Sequence, residues 1–266
     1  MPKNLSIIIT HHRTPELLDL CLKSIKENIE GMDCEIIVVD SEAKEKTRDF
    51  IKEKYPEVKI IPFIKNLGYS KIVNAGIKES AGKYILILNA DIIVLKNAIQ
   101  EMMDCLEKNP KVGILGPQLL DFTDNIQESC FANPTIPAIL ARRTFFGKIK
   151  WGKKALNRFT IKDWDRKSTK DVDWVQGSAM MIRKKALDEV GLWDERFFMY
   201  FEDADLCRRF WQRGLKVLYL PSARMVHYYH RSSKKFGAIL DAIFNKQTRI
   251  HIISAIKYFL KYRKKK

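Results

Sequence analysis

The stretch Leu5–Ser41, LSIIITHHRTPELLDLCLKSIKENIEGMDCEIIVVDS, decides the fold. Leu5 to Thr10 is a short apolar, β-branched run, the pattern of a strand buried on both faces. Thr14-Pro15-Glu16 marks a helix start, and Leu17, Leu18, Cys21, Leu22 and Ile25 then recur at helical spacing. Glu35 to Val39 is a second buried strand, ending at Asp40. Strand, helix and strand in this order predict a parallel pair joined by a right-handed crossover.

The unit repeats along the chain. A charged helical stretch runs to Lys54, Val58 to Phe63 reads as a third strand, and Asn66-Leu67-Gly68-Tyr69 as a turn. Ser70 to Ser80 reads as a helix closed by Gly82, and Tyr84 to Leu88 as a fourth strand ending at Asn89-Ala90-Asp91. The expected class is therefore α/β, with a Rossmann-like, mainly parallel central sheet flanked by helices. Polar groups stand at the strand ends, the edge where open α/β sheets bind ligands, so Thr10, Asp40 and Asp91 are expected to meet in one crevice.

After a helix from Asn97 to Lys108 the pattern weakens. The segment 134–170 carries Arg142, Arg143, Lys148, Lys150, Lys153 and Lys154 and reads as a long loop or a small helical insertion. Val172 to Arg183 resumes order with Gly177 inside an apolar run. Asp203 to Arg213 reads as a helix stopped by Gly214, and Lys216 to Leu220 as a further strand. From Arg231 onward eleven Lys or Arg face a single acid, Asp241. Phe236, Ile239, Leu240, Ile243 and Phe244 form one apolar helical stripe there, and Ile252, Ile253, Ile256, Phe259 and Leu260 another. The expected division is a catalytic domain over 1–230, with the basic insertion at 134–170, and a basic amphipathic helical tail over 231–266.

The formal net charge of +16 over 266 residues implies an anionic partner: nucleotide, nucleic acid or an acidic lipid surface. Most of the excess lies in the insertion and tail, not interleaved with aromatics along a groove, which argues against nucleic acid. No run of eighteen apolar residues occurs, and MPKNLSIII lacks the form of a signal peptide, so a cytoplasmic protein is expected. Cys21, Cys34, Cys105, Cys130 and Cys207 are odd in number and scattered, the pattern of reduced and mostly buried thiols. Nothing in the sequence fixes an oligomeric state.

Several residues carry candidate chemistry. Asn89-Ala90-Asp91 is either a site for a divalent cation against a diphosphate, for which one or two carboxylates suffice, or a polar strand end opening a turn. Asp40 either accepts hydrogen bonds from a nucleotide base or ribose, or caps a turn. THHRTPE lacks the glycine fingerprint of dinucleotide-binding folds. His227 and His230 either ligate a metal or lie at the surface. Glu202, Asp203 and Asp205 favour the positive end of a helix, which accounts for one or two of them. The aromatic run Phe197, Phe198, Tyr200 and Phe201 beside them would dry a carboxylate and raise its pKa toward that of a general base.

Together these segments resemble the inverting family 2 glycosyltransferases with the GT-A fold, most closely the bacterial and archaeal rhamnosyltransferase-like members. The matching segments are SIIITHHRTPELLDLCLKSI, EIIVVDS, NLGYSKIVNAGIKESAGKYILILNAD, GPQLLDFTDNIQESC, DWVQGSAMMIRKKALDEVGLWDERFFMYFEDADLCRR and GLKVLYLPSARMVHYYHRSS, in the family's order. The resemblance implies a nucleotide-sugar donor, dTDP-rhamnose or a UDP-sugar, and a hydroxyl acceptor on a glycan or lipid carrier in cell-surface polysaccharide synthesis. It gives Asp40 the base, Thr10 and His12 flanking contacts, and Asn66, Gly68, Asn74 and Asn89 the donor's surroundings. Asp91 is given the diphosphate and a Mg²⁺ or Mn²⁺ ion, with His227 as a further metal contact.

Asp203 is given the role of general base, and Glu202 that of supporting or orienting the acceptor; Gly177, Trp193 and Asp194 lie on the acceptor side. Asp205 is expected to cap the helix or to pair with Arg208 or Arg209. The loop SEAKEKT departs from the family's Asp-Gly-Ser-like loop, His12 stands where an aromatic is usual, and Asn89 replaces a first Asp. The basic insertion and tail fit a lipid-linked acceptor at the inner membrane face, the alternative for the tail being a helical pair packed on the domain. Two other functions stay open from residues alone: a non-catalytic nucleotide- or glycan-binding member of the fold, and a basic nucleic-acid-binding protein.

Overall fold

The computed structural model describes residues 4–228 and 245–263. The expectations for His230 and for the stripe from Phe236 to Phe244 fall outside the described residues. Four strands are parallel, in the spatial order β3-β2-β1-β4: β1 (Leu5–His11), β2 (Cys34–Ser41), β3 (Lys59–Phe63) and β4 (Tyr84–Asn89). Helices α1 (Pro15–Asn28), α2 (Glu45–Lys54) and α3 (Tyr69–Lys78) connect them.

Beyond β4 the sheet is mixed. β10 (Ala179–Arg183) runs antiparallel between β4 and β6 (Val112–Leu120); β11 (Lys216–His227) and β5 (Ile92–Val94) follow, with α4 (Ala98–Lys108) joining β5 to β6. β8 (Lys170–Asp171) pairs with β11, while β7 (Cys130–Phe131) and β9 (Trp174–Val175) form a separate two-stranded sheet. α7 (Lys184–Val190) and α8 (Glu202–Gln212) lie between β10 and β11 in the chain.

Both faces of the sheet are apolar because successive side chains alternate. Ile7, Ile9, Leu86 and Leu88 pack with Leu18, Leu22 and Ile25 of α1 and Met102 of α4. Ile8, Ile37, Val39, Ile85 and Ile87 pack on the other side with Val73 of α3, Leu187 of α7 and Leu206 and Phe210 of α8. Each such side chain contributes about 1.5–3 kcal/mol of burial, which makes a charge at Ile8 one of the costliest single changes to the fold.

The chain fills β2 and β3 on one side of β1 and then crosses to β4 on the other. That reversal opens a crevice at the carboxyl ends of β1 and β4.

Of the two readings of segment 134–170 the structure has the helical one, and the chain departs from the sequence expectations after it. The segment 134–170 is helical at its start: α5 (Ile136–Arg143), a 3₁₀ turn (Phe145–Lys148) and α6 (Lys150–Phe159), with Thr135 Oγ1 accepting from the Ala138 N–H as an N-cap. The run from Val172 to Arg183 is not continuous, because β9 and β10 are separated at Gln176–Ser178. β11 continues well past Leu220. Pro221, which has no N–H to give, sits in a register shift between Leu220 and Arg224, after which the strand resumes to His227.

The tail helix α9 (Lys246–Lys261) packs inward through Thr248, Ser254, Ala255 and Tyr258. Most of its apolar stripe faces outward instead: Ile252, Ile253, Ile256 and Leu260 are 40–62% exposed. Among the described residues no helix is long and apolar enough to cross a membrane. The cysteines are free, with Cys21, Cys130 and Cys207 buried.

Candidate active site

The crevice floor is set by strand register. β1 pairs His11 with Asp40 of β2 and Thr10 with Asn89 of β4. Asp40 is buried, and its Oδ1 lies 2.7 Å from His11 Nδ1. Because His11 Nε2 accepts from the Thr14 N–H at 3.0 Å, Nδ1 carries the proton and donates to Asp40. The second oxygen, Oδ2, is buried without a partner. An orphaned buried carboxylate oxygen is costly unless a ligand donor reaches it.

The expected flanking residue His12 is exposed and bonds Glu42 at 2.8 Å, within the SEAKEKT loop. The neighbour of Asp40 is His11, which sequence reasoning passed over.

Thr10 Oγ1 donates to Asn89 Oδ1 at 2.9 Å, which orients the amide at the end of β4. Two residues further, Asp91 is pushed up to about 6 by burial, and its Oδ1 has no partner. Its Oδ2 lies 3.7 Å from His227 Nε2, brought there by the pairing of β11 with β5 and by the Tyr228 N–H on the Asp91 carbonyl.

His227 is held by Gln127, another residue not anticipated. The Gln127 amide NH₂ donates to the carbonyls of Leu120 and His227, so its Oε1 faces Nδ1 at 3.1 Å and must accept from it. Burial lowers His227 to about 4 and keeps it neutral, which leaves the Nε2 lone pair toward the Asp91 carboxylate. Two acceptors facing each other, one of them a neutral imidazole with its far nitrogen fixed, form a donor set suited to a divalent cation completed by phosphate oxygens and water. Among the described residues no cluster of three His, Cys, Asp or Glu side chains forms a cage for a metal.

The other wall holds the acid cluster. Glu202 is buried, and burial together with the neighbouring Asp203 raises its pKa well above the usual carboxylate range; its Oε2 has no partner. Asp203 is pushed up to about 6 by burial, opposed by the N–H groups of Gly177 and Ala204. Gly177 N donates to Asp203 Oδ2 at 3.1 Å and Ala204 N to Oδ1 at 2.8 Å. The break between β9 and β10 thus leaves the Gly177 N–H available to the acid. Tyr69 closes the arrangement, its hydroxyl donating to the Gly177 carbonyl at 2.5 Å and its N–H to the Phe198 carbonyl at 2.6 Å.

Other expected site residues have structural partners. Asn66 Oδ1 accepts from the Gly68 N–H, and Gly68, at φ +89°, lies so close to Phe198 that a Cβ would stand 2.6 Å from its carbonyl oxygen. Asn74 is a correction to the donor set: it is buried and both ends of its carboxamide bind the Trp193 backbone, at 3.0 and 2.9 Å. Trp193 is buried in the core, so its ring is not on an acceptor surface. Asp194 is held well below the usual carboxylate range by Arg196 and Lys261. Asp205 pairs with Arg209 as expected, at 2.9 Å, and also with Lys261 at 2.6 Å.

The fold is that of the GT-A glycosyltransferases, with the carboxylates gathered at its switch point. The family model for glycosyl transferase family 2 matches residues 6–191, and the chain belongs to that family. It is rhamnosyltransferase-like. It is 28% identical over 233 residues to the N-acetylglucosaminyl-diphospho-decaprenol L-rhamnosyltransferase of Mycobacterium tuberculosis (strain CDC 1551 / Oshkosh), covering 82% of this chain and 74% of that protein. It is also 35% identical over 92 residues to rhamnosyltransferase WbbL of Escherichia coli (strain K12), 35% of this chain and 32% of that one. Among solved structures, GalNAc-T7 with UDP, GalNAc and Mn²⁺ shares the fold at a TM-score of 0.64 and 17% identity, over 86% of this chain. The chain spans 44% of the length of that structure.

Proposed function

We propose that the protein is an inverting, cation-dependent glycosyltransferase that moves a sugar from dTDP-rhamnose or a UDP-sugar to a hydroxyl of a lipid-linked or glycan acceptor in cell-surface polysaccharide synthesis. One observation carries this reading. The buried carboxylate oxygens that lack a partner among the described residues, Asp40 Oδ2, Asp91 Oδ1 and Glu202 Oε2, belong to three segments that meet at one end of the sheet. Three orphaned acceptors on one edge suit a ligand that brings N–H and O–H donors and a cation.

In this mechanism Asp40, aligned by His11, accepts from the nucleotide base. Asp91 and His227 would hold Mg²⁺ or Mn²⁺, which supplies charge neutralisation for the departing diphosphate. Asp203 takes the proton of the acceptor hydroxyl as that oxygen bonds to the anomeric carbon and the bond from that carbon to the diphosphate oxygen breaks. The Gly177 and Ala204 N–H groups hold the carboxylate in one orientation, and burial beside the apolar Phe197 and Phe201 dries it. A positioned base of this kind contributes about 10²–10⁴-fold to the rate.

The acceptor's lipid is matched by an outward face. Ile139 of α5 packs on the apolar cluster that Ala255 and Tyr258 of α9 form with Phe197, Phe201 and Ala204, and Ile136, Leu140, Ile252 and Ile256 stand exposed on the two helices. The insertion adds exposed Phe145 and Trp151 among its lysines. Apolar side chains among cations suit the interface of an anionic bilayer, at the inner face of the cell membrane.

A thermal-shift panel tests the donor reading: UDP, dTDP, GDP and ADP, each with and without Mn²⁺. UDP or dTDP is expected to raise the melting temperature, and more so with Mn²⁺. Insensitivity to every nucleotide would overturn it. Turnover is then read as nucleoside diphosphate release, first with dTDP-rhamnose and a polyprenyl-diphosphate-linked N-acetylglucosamine.

A further inference from the structure

Asp203 is the second residue of α8, a helix that directly follows two residues in left-handed backbone geometry, Tyr200 at φ +71° and Phe201 at φ +68°. Neither is glycine, and aromatic residues hold such angles only where their surroundings fix them. No side chain caps α8. The Gly177 and Ala204 N–H groups hold the carboxylate itself, and the backbone that carries it is fixed by what packs on residues 194–205 from outside.

What packs there is the tail helix. Lys261 Nζ lies between Asp194 Oδ2 at 2.8 Å and Asp205 Oδ1 at 2.6 Å, joining the two ends of the loop that bears the base. Tyr262 donates its hydroxyl to Asp205 Oδ1 at 2.8 Å, and the Arg208 guanidinium stacks over the Tyr262 ring at 3.8 Å. Ser254 Oγ donates to the Met199 carbonyl at 2.8 Å and Lys257 Nζ to that of Arg196 at 2.6 Å. The His251 ring centroid is 5.1 Å from those of both Tyr200 and Phe201, and buried Tyr258 packs on Phe201 at 5.4 Å.

Asp205 is fully buried, and its carboxylate is shared among Arg209, Lys261 and Tyr262. Removing Lys261 would leave that carboxylate short of a charge partner and uncouple Asp194 from it. The polar groups of α9 thus answer the loop's own carbonyls and carboxylates along 194–205, while most of its apolar stripe faces away.

We propose that α9 is a clamp on the base-bearing loop and that Lys261 is a positioning residue for the transfer, acting through Asp194 and Asp205 on the direction of Asp203. It rests on the reading of Asp203 as the base. A misplacement of the order of 1 Å costs about a hundredfold in rate, so a loosened clamp lowers turnover without touching the donor crevice.

The test compares Lys261→Met, Lys261→Arg and Asp203→Asn in the full chain. With Lys261→Met, kcat is expected to fall about tenfold or more. The affinities for UDP and dTDP in Mn²⁺ should stay within about twofold, and Lys261→Arg should restore most of the loss, since a cation again joins the two acids. Hydrogen exchange gives a readout that needs no substrate: amides of 197–204 should exchange faster in Lys261→Met while those of β1 and β4 stay protected.

The clamp is wrong if kcat and the exchange of 197–204 both match wild type. It is also wrong if nucleotide affinity falls in proportion to kcat. If Lys261→Met loosens the whole sheet, Tyr262→Phe, which removes one hydrogen bond to Asp205, decides by the same two readouts. An active Asp203→Asn protein sinks the base reading and the clamp together; an inactive one beside a fully active Lys261→Met sinks the clamp alone.

Discussion

The half of the sheet proposed to hold the donor and the half proposed to face the acceptor are built differently. In β1 to β4 each candidate residue sits at or just beyond the end of its own strand, and neighbouring strands are joined by short helical crossovers. Thr10, Asp40 and Asp91 need only the sheet to be placed. On the acceptor side Asp203 is held by a backbone N–H 26 residues earlier, by two left-handed residues and by a helix about fifty residues later. Position is local in the first half and borrowed in the second. Damage should therefore spread differently from the two.

Asp91→Asn tests the donor half at its strongest point. It removes the carboxylate expected on the cation, and turnover should drop about a hundredfold or more. Nucleotide affinity in Mn²⁺ should fall with it, measured by calorimetry. If affinity holds while turnover falls, the two halves do not separate as described.

Gln127→Leu is the subtler probe of the same half. It leaves both candidate ligands in place but removes the acceptor that fixes the Nδ1 proton of His227. The expected outcome is about tenfold weaker Mn²⁺ binding in the presence of UDP, with a much smaller change in its absence, because an outer-shell partner tunes a ligand without replacing it. An unchanged Mn²⁺ titration would show that His227 does not depend on Gln127.

The contrast also explains what could be read before the structure. Asp40 and Asp91 were legible because each ends an apolar strand, and strand ends in such sheets gather ligands. His11 was not singled out because only its pairing with β2 shows that it reaches Asp40. Asn74 was assigned to the donor because it follows the Asn-Leu-Gly-Tyr turn, but its partner is the backbone of Trp193, 119 residues away.

Gln127 carries no local signal at all: it matters through a histidine 100 residues later. Asp205 was expected to cap the helix or to pair with Arg208 or Arg209; the partner is Arg209, its i+4 neighbour, and the second partner Lys261 lies outside any window of local reasoning. The tail was legible as an amphipathic helix, yet not in which face it docks. Periodicity marks an apolar stripe, and here the helix turns most of that stripe outward and docks through Ser254, Ala255 and Tyr258.

The central claim is that Asp203 takes the acceptor's proton, and the pH dependence of kcat with and without it tests that most directly. Burial raises this carboxyl above its ordinary range, to about 6, so its basic form is lost as pH falls through that value. Wild-type kcat should be level above about pH 7 and fall on the acid side, about tenfold for each unit below the pKa. Asp203→Asn should lose about 10²–10⁴-fold in kcat and lose that acid limb, while UDP or dTDP still binds in Mn²⁺. An Asp203→Asn protein that turns over at the wild-type rate with the same acid limb would contradict the account.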